Sequence, residues 1–191
     1  MNFLAHLFLA GNTPDSLLGN LAGDFVKGPL RDSPIRQGIV EHRKIDEFTD
    51  THPIAGAFRK IIAAEHRHYA PVIADLFFDH FLACDWSEYS NESREDFIAR
   101  VYRTLDPMIG DMPGNLPWVY QRMRDGGWLE SYVGVRGIET ALRNLSHRFE
   151  RKVHLEDATH LLTDARDELH GHFREFFPHV IAFANAIRSS R

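Results

Sequence analysis

Carboxylate and imidazole side chains stand inside otherwise apolar helical sequence within the first 82 residues of this chain. The clearest case is the segment 73–82, IADLFFDHFL, where the adjacent residues Asp79 and His80 are surrounded by apolar neighbours. A helix that is apolar on every side is normally buried. Burying an ionised carboxylate without a partner costs several kcal/mol, so such a group is usually paired or bound to a metal ion. The candidate partners upstream are His6, Asp24, His42, Asp46 and Asp50.

A second set of side chains follows one face of the helix predicted over residues 34–51. Four, three, four and four positions separate its members, which are Ile35, Ile39, His42, Asp46 and Asp50. This face begins apolar and becomes polar, which predicts a helix that enters the core and then lines a cavity. His42 and Asp46 are then close enough to hold one ion or to hydrogen-bond each other. Glu41 is predicted to face solvent.

Both patterns also have a purely structural interpretation. His42 and Asp46 could form an ordinary i,i+4 pair on a helix surface, because such pairs are common. Asp79 and His80 could be a capped aspartate beside a hydrogen-bonded core histidine. The residues alone leave these interpretations open beside the functional one.

Taken together, the residue types favour a catalytic metal ion over a structural zinc site. Imidazole and carboxylate ligands without cysteine suit the hydrolytic chemistry of manganese, iron, magnesium or zinc. The single cysteine, Cys84, excludes a zinc site built from several cysteines. A hydrolase would use such an ion to lower the pKa of water and to neutralise charge on a phosphoryl oxygen. Lys27 and Arg43 border the candidate ligands and are the predicted phosphate contacts.

The elements that position these residues are predicted to be helices, because helical spacing recurs and strand alternation dominates nowhere. Helices are expected over about 15–25, 34–51, 54–67, 71–84, 92–105, 117–124, 127–133, 135–150 and 156–186. Pro178 is expected to kink or break the last of them. Three prolines and two glycines predict a loop over residues 106–117. The predicted fold class is all-α, a compact helical bundle that forms a single domain over residues 1–191.

The composition excludes several classes of protein. With 43% hydrophobic residues the chain has enough apolar surface for a core, and its 26% of charged residues argues against disorder. A net charge of -5 argues against sequence-independent nucleic-acid binding, which needs a basic face. The apolar segment 3–10 is too short to span a bilayer and lacks a preceding basic region. We therefore expect a cytoplasmic protein that binds neither nucleic acid nor membrane.

Four motifs, in this order, resemble the signature of the bacterial acyl carrier protein phosphodiesterases across about residues 1–85. They are Asn2-Phe3-Leu4-Ala5-His6, the segment 19–28 with Asp24 and Lys27, the segment 38–50 with His42, Arg43, Asp46 and Asp50, and Asp79-His80-Phe81-Leu82. This family is regarded as a divergent branch of the HD metal-dependent phosphohydrolases, so the resemblance implies an HD-like helical bundle. The usual HD order of His followed by Asp is reversed here.

The resemblance implies hydrolysis of the phosphodiester that joins 4'-phosphopantetheine to a serine of holo-acyl carrier protein. Mn²⁺ is the expected cofactor, with Mg²⁺, Fe²⁺ or another divalent ion as alternatives. The hypothesis for the metal ligands is Asp24, His42, Asp79 and His80. His6 and Asp46 are further ligands or orienting residues, His6 or Asp50 passes a proton to the leaving oxygen, and Lys27 or Arg43 stabilises the phosphoryl oxygens.

Two alternative functions stay open at this point. The first is an HD-type phosphohydrolase that acts on small nucleotides. The second is a non-catalytic helical binding module whose buried polar cluster is only structural. If the substrate is an acidic carrier protein, a net negative chain needs a local basic face to attract it. The candidate faces are Arg143, Arg148, Arg151 and Lys152, or Arg59 and Lys60.

Overall fold

The structure is a computed structural model that describes residues 1–147, 149 and 152–190, and these ranges contain helices and no strand. The α-helices are α1 (Phe3–Leu9), α2 (Pro14–Ala22), α3 (Arg36–Thr51), α4 (Pro53–His66), α5 (Ala70–Cys84), α6 (Trp86–Tyr89), α7 (Arg94–Leu105), α8 (Leu116–Asp125), α9 (Trp128–Ser131), α10 (Val135–Ser146), α11 (Leu161–Asp164) and α12 (Arg166–Ser189). Short 3₁₀-helices cover Gly23–Phe25, Asp106–Asp111 and Leu155–His160. The predicted all-α class is confirmed. Within the described ranges, no helix has both the length and the apolarity needed to cross a membrane.

The ends of the helices follow local capping chemistry. The Oγ1 of Thr13 accepts a hydrogen bond from the backbone N–H of Ser16, so α2 begins one residue earlier than predicted, with Pro14 in its first turn. Pro53 keeps the preceding residue out of helical geometry, and α3 therefore ends at Thr51 as predicted.

The predicted start of the last long helix is wrong. The segment 155–164 forms a 3₁₀-helix and the short helix α11, so the long last helix begins at Arg166 rather than near residue 156. Of the two outcomes predicted for Pro178, a kink or a break, the break does not occur, because α12 continues through this residue. An interior proline costs a helix about 3 kcal/mol. Phe173, Phe176 and Phe177, which all precede Pro178, are fully buried, and their packing compensates for this cost.

The core is centred on α5, which is buried on almost every side, as its sequence predicts. Aromatic rings from α4 and α12 pack against it. The ring of Phe78 lies 4.4 Å from that of Phe58 and 5.4 Å from that of Phe176, measured between centroids. Contacts of this kind hold α4, α5 and α12 in one apolar cluster with α1, α2 and α3.

A close crossing of α2 and α3 brings the candidate site residues together. A Cβ atom added to Gly19 would lie 2.4 Å from the carbonyl oxygen of Ile35 and 2.6 Å from the Cα of Gly38, so only glycine permits this approach. Gly23 has a similar role, because a Cβ there would lie 2.1 Å from the ring of His42. The crossing therefore sets the end of α2 and the 3₁₀-helix after it against the middle of α3.

Candidate metal centre

Two imidazoles and a carboxylate, on α1 and α3, form the one group in the described ranges whose side chains could share a metal ion: His6, His42 and Asp46. One ligand atom from each lies within 4.8 Å of the others. The Nε2 of His6 is 3.0 Å from Oδ1 of Asp46, and the Nε2 of His42 is 3.1 Å from Oδ2. The two rings stack with their centroids 3.7 Å apart. Asp46 therefore meets one imidazole with each of its oxygens.

A second carboxylate approaches the same atom of His42 from the 3₁₀-helix Gly23–Phe25. Oδ1 of Asp24 lies 3.4 Å from the Nε2 of His42, and the Asp24 side chain is 70% exposed. Two buried imidazoles and two carboxylates thus converge, with Asp24 on the solvent side. This donor set fits a divalent cation such as Mn²⁺, Fe²⁺ or Zn²⁺, because it combines nitrogen and oxygen ligands without thiolate. We call these four residues the His/Asp cluster.

The orientation of His42 is fixed by its other ring nitrogen. The Nδ1–H donates to the carbonyl oxygen of Asn20, at 2.7 Å, and a carbonyl can only accept. The Nε2 is consequently turned toward the carboxylates, as in metal sites whose histidine ligands are held through the second nitrogen. Burial opposes a charge on this ring, but the hydrogen bonds to Asp24 and Asp46 outweigh it and raise the pKa of His42 to about 9.

The pKa values of His6 and Asp46, two further members of the cluster, are shifted downward. Burial and the neighbouring charge of His42 lower the pKa of His6 to about 4, so this ring is neutral near pH 7. Burial alone would raise the pKa of Asp46, but the hydrogen bonds from His42 and His6 bring it well below its usual range. Asp46 is therefore an ionised carboxylate surrounded by donors that a cation could replace.

The α-amine of Met1 adds a further positive charge beside Asp46. It is buried and lies 3.2 Å from Oδ1 of Asp46 and 3.0 Å from Oδ1 of Asp75. Burial opposes the charge of the amine, but Asp75 and Asp46 outweigh this and raise its pKa to about 11. Asp75, on α5, is in this way linked to the His/Asp cluster through the first residue of the chain.

The structure does not bring Asp79 into the cluster, and its role as a metal ligand stays a prediction. Its two oxygens accept hydrogen bonds from the backbone N–H groups of Leu4, at 2.8 Å, and Ala5, at 3.0 Å. These donors belong to the first turn of α1, where Asn2 makes no side-chain cap. Burial raises the pKa of Asp79 to about 7, although the two N–H groups oppose the shift. Asp79 is a helix cap supplied from another helix.

His80 also lies outside the cluster, and its role as a metal ligand stays a prediction. Its Nδ1 hydrogen-bonds the carbonyl oxygen of Tyr132 at 2.8 Å, and its Nε2 lies 3.7 Å from the Sγ of Cys84. Neighbouring side chains on a helix diverge by about 100°, so Asp79 and His80 reach different surroundings. Asp79 meets α1, whereas His80 meets the segment after α9.

Two of the predicted catalytic residues have other partners. Asp50 is exposed and forms an ion pair with Arg59, with 3.0 Å between its Oδ1 and Nη1, one helical turn beyond Asp46. Arg43 donates to the carbonyl oxygens of Val26, at 2.5 Å, and Gly28, at 3.4 Å. Arg43 therefore holds the loop over residues 26–28. The roles of Asp50 and Arg43 at the reacting group stay predictions.

The loop that Arg43 holds carries Lys27, which faces a cavity of about 1160 Å³. The walls of the cavity come from α1, α5, α8, α9, α10 and the 3₁₀-helix Gly23–Phe25. Asp24 is the member of the His/Asp cluster that lines the cavity, and Met1, whose α-amine contacts Asp46, lines it as well. Lys27 is the predicted site residue that lines the cavity beside Asp24.

Comparison with known proteins gives a consistent result over nearly the whole chain. Residues 1–180 match the family model described as acyl carrier protein phosphodiesterase. The chain belongs to this family. The resemblance inferred from the four motifs is thereby confirmed.

Curated relatives that carry the same name cover the chain almost from end to end. The acyl carrier protein phosphodiesterase of Klebsiella pneumoniae (strain 342) is 34% identical over 188 residues, which are 96% of this chain and 97% of the relative. The acyl carrier protein phosphodiesterase of Yersinia pestis is 32% identical over 182 residues, which are 93% of this chain and 94% of the relative. No solved structure matches the chain significantly. The relation of the family to HD phosphohydrolases stays a prediction.

In this member of the acyl carrier protein phosphodiesterase family, sequence reasoning missed the surroundings of three residues near the cluster, Asp75, Asn20 and Glu41. Asp75 stands one turn before Asp79 in the same apolar run, and the argument that burial requires a partner applied to it equally. Asn20 orients His42 through its backbone carbonyl, for which no side-chain signal exists. Glu41, which was predicted in solvent, is 1% exposed and lies 3.4 Å from both Ser16 Oγ and Asn20 Nδ2.

The basic faces proposed for docking are partly engaged with acidic side chains of the chain itself. Arg143 forms ion pairs with Glu139 and Glu156. Arg59 is paired with Asp50. Arg148 and Arg151 lie outside the described residues. A docking role for either face stays a prediction.

Proposed function

We propose that this chain hydrolyses the phosphodiester between 4'-phosphopantetheine and the serine of holo-acyl carrier protein, which yields apo-acyl carrier protein. The observation that supports this most directly is the His/Asp cluster at the edge of a large cavity, in a chain of the acyl carrier protein phosphodiesterase family. The proposal includes a divalent cation, with Mn²⁺ as the first candidate. It also places the reaction in the cytoplasm, as part of fatty acid biosynthesis.

The residues that would hold the cation are His6, His42, Asp46 and Asp24. When bound, a divalent cation lowers the pKa of water and neutralises charge on a phosphoryl oxygen. Asp46 would be the central ligand, because one of its oxygens faces each imidazole. Asp24 is the most exposed of the four and would complete the site on the side from which a substrate arrives.

The remaining residues position the phosphate and keep the cluster in order. Lys27 lines the cavity beside Asp24, so its ammonium group would stabilise phosphoryl oxygens there. Arg43 fixes the backbone on both sides of Lys27. The carbonyl of Asn20 keeps the Nε2 of His42 directed at the reacting centre. Asp50 is paired outside the cluster and takes no part in this scheme.

The reaction can be tested by mass spectrometry of holo-acyl carrier protein after incubation with the protein and Mn²⁺. We expect the carrier protein to lose the mass of the 4'-phosphopantetheine group, and we expect a chelator to prevent that loss. The variant Asp46→Asn, which keeps the size of the side chain, serves as the inactive control. Holo-carrier protein that keeps its full mass with the wild-type enzyme and excess Mn²⁺ would contradict the proposal.

The same assay separates the two alternative functions. Turnover of free nucleotide phosphodiesters, without any carrier protein, would favour a nucleotide phosphohydrolase. A protein that contains no stoichiometric metal by elemental analysis, and whose fold does not respond to chelator, would favour a binding module. The cluster of two imidazoles and two carboxylates argues for the phosphodiesterase over the binding module, because a purely structural cluster needs no second carboxylate on the exposed side of His42.

A further inference from the structure

We propose that the cavity beside the His/Asp cluster binds the pantetheine arm of the substrate, while the folded carrier protein stays outside and presents only its serine at the rim. This inference rests on the proposed function. It specifies which part of the substrate enters the enzyme and which cavity walls recognise that part.

The position of the cavity is the first observation that supports the inference. Asp24 lines the cavity and also lies 3.4 Å from the Nε2 of His42. Lys27 lines the cavity from the loop that follows. A phosphate held between Lys27 and the cluster therefore has the cavity on one side. The group attached to that phosphate on the cavity side would extend into it, and the other substituent would point to solvent.

The chemistry of the walls matches the arm. Pantetheine is a flexible chain that alternates apolar carbon groups with amide groups and ends in a thiol. The cavity has aromatic walls, including Phe3 and Trp128, whose rings stack with centroids 6.4 Å apart. Three side-chain amides also line it, those of Asn2, Asn115 and Asn144. Apolar surface with a few polar groups for orientation is the usual composition of a small-molecule site.

The size of the cavity also suits the arm rather than part of a folded protein. Its volume, about 1160 Å³, lies just above the range of about 300–1,000 Å³ that is typical of small-molecule pockets. Trp118 stands at the edge, 61% exposed, with the guanidinium of Arg122 5.0 Å from its ring centroid. Trp118 lines the cavity and is also exposed to solvent, so this aromatic and cationic surface would meet the carrier protein at the rim.

Two exposed positions on α10 allow a matched test. Thr140 lines the cavity, whereas Val135 on the same helix does not. Thr140→Trp would place a large side chain in the cavity, and Val135→Trp would add the same side chain outside it. We expect kcat/KM for holo-acyl carrier protein to fall at least about tenfold in Thr140→Trp and to change less than about twofold in Val135→Trp. Asn144→Trp, at another exposed position in the lining, provides a second blocking variant.

Inhibition by two small molecules separates the cavity from the cluster. Free pantetheine, which carries no phosphate, should compete with holo-acyl carrier protein for the wild-type enzyme and for Val135→Trp, but not for Thr140→Trp or Asn144→Trp. Inorganic phosphate should inhibit all of them to a similar extent, because the blocking variants leave the cluster intact. Circular dichroism and melting temperature check that each variant is folded.

The outcomes distinguish a failure of this inference from a failure of the proposed function. Full kcat/KM in both blocking variants, or equal inhibition of every variant by pantetheine, would overturn the cavity assignment while the wild-type hydrolysis still stands. If pantetheine does not inhibit the wild-type enzyme, the cavity assignment is likewise overturned. If wild-type enzyme with Mn²⁺ releases no 4'-phosphopantetheine from the carrier protein, both the function and the inference fail.

Discussion

Two carboxylates in this molecule, Asp46 and Asp79, lie on helices near an imidazole but have different kinds of partner. Asp79 was selected because it interrupts an apolar run, and Asp46 because it follows His42 by four residues on one face of α3. Asp79 is compensated by two backbone N–H groups at the start of α1. Asp46 faces two imidazoles and an α-amine. A buried carboxylate therefore predicts that a partner exists, but not whether the partner is backbone or a replaceable ligand.

The two carboxylates are nevertheless connected through α1. Asp79 holds the first turn of that helix, at Leu4 and Ala5, and the next residue is His6. The ring of His6 then meets Asp46. The capping carboxylate thus fixes the helix that delivers an imidazole to the cluster. One carboxylate supports the structure of the site and the other supplies its chemistry.

The largest effect on activity is expected from Asp46→Asn. This change keeps the shape of the side chain but removes the charge that a cation and both imidazoles share, so kcat/KM for holo-acyl carrier protein should fall at least about a hundredfold. Initial rates with saturating Mn²⁺ measure the effect. Activity within a few-fold of wild type would remove Asp46 from the reacting centre.

Compared with Asp46→Asn, the variant Asp79→Ala is expected to lose less activity but more stability. The change leaves the N–H groups of Leu4 and Ala5 buried without their acceptor, which should reduce the free energy of unfolding by about 2–4 kcal/mol. Chemical denaturation measures this value. Stability equal to wild type together with complete loss of metal binding would instead make Asp79 a ligand.

The pH dependence of the free energy of unfolding tests the protonation of Asp79. The pKa of Asp79 is raised from 3.8 to about 7 in the folded protein, so the folded state retains a proton that the unfolded state has released between these values. The contribution of Asp79 to stability is therefore fully present below pH 3.8 and is lost as the pH rises toward about 7. Wild type should lose stability relative to Asp79→Asn over this interval. A stability difference that does not change with pH would contradict the raised pKa.

The smallest effect is expected from Asp50→Asn, on the same face of α3 as Asp46. Asp50 is exposed and paired with Arg59 at the surface. Surface ion pairs of this kind contribute about 0–1 kcal/mol, so stability should change by less than about 1 kcal/mol and kcat/KM by less than about twofold. A much larger fall in kcat/KM would return Asp50 to the catalytic machinery.

The sequence predicted the helices well and the site only in part. The apolar run of α5 and the proline after α3 carry strong local signals, and both elements were predicted close to their observed limits. Asp24, His42, Asp46 and His6 were also selected correctly as neighbours.

The errors have a common physical origin in contacts between distant segments. The partners of Asp79 lie 74 and 75 residues away in the sequence. They are backbone atoms, so no residue type in the sequence indicates them. Glu41 is buried because α2 crosses α3 closely at Gly19, a tertiary arrangement that a helical wheel does not contain. Local patterns thus identified which groups need partners, whereas the packing of α1 and α2 decided which partners they have.

Binding of Mn²⁺, followed by electron paramagnetic resonance of the free ion, tests the central assignment most directly. The wild-type protein, Asp46→Asn and His80→Gln would be titrated side by side. If the cation binds at the His/Asp cluster, Asp46→Asn will lose at least about a hundredfold in affinity, and His80→Gln, whose position contacts the carbonyl of Tyr132, will bind like wild type. Unchanged binding by Asp46→Asn, or lost binding by a folded His80→Gln, would contradict the account.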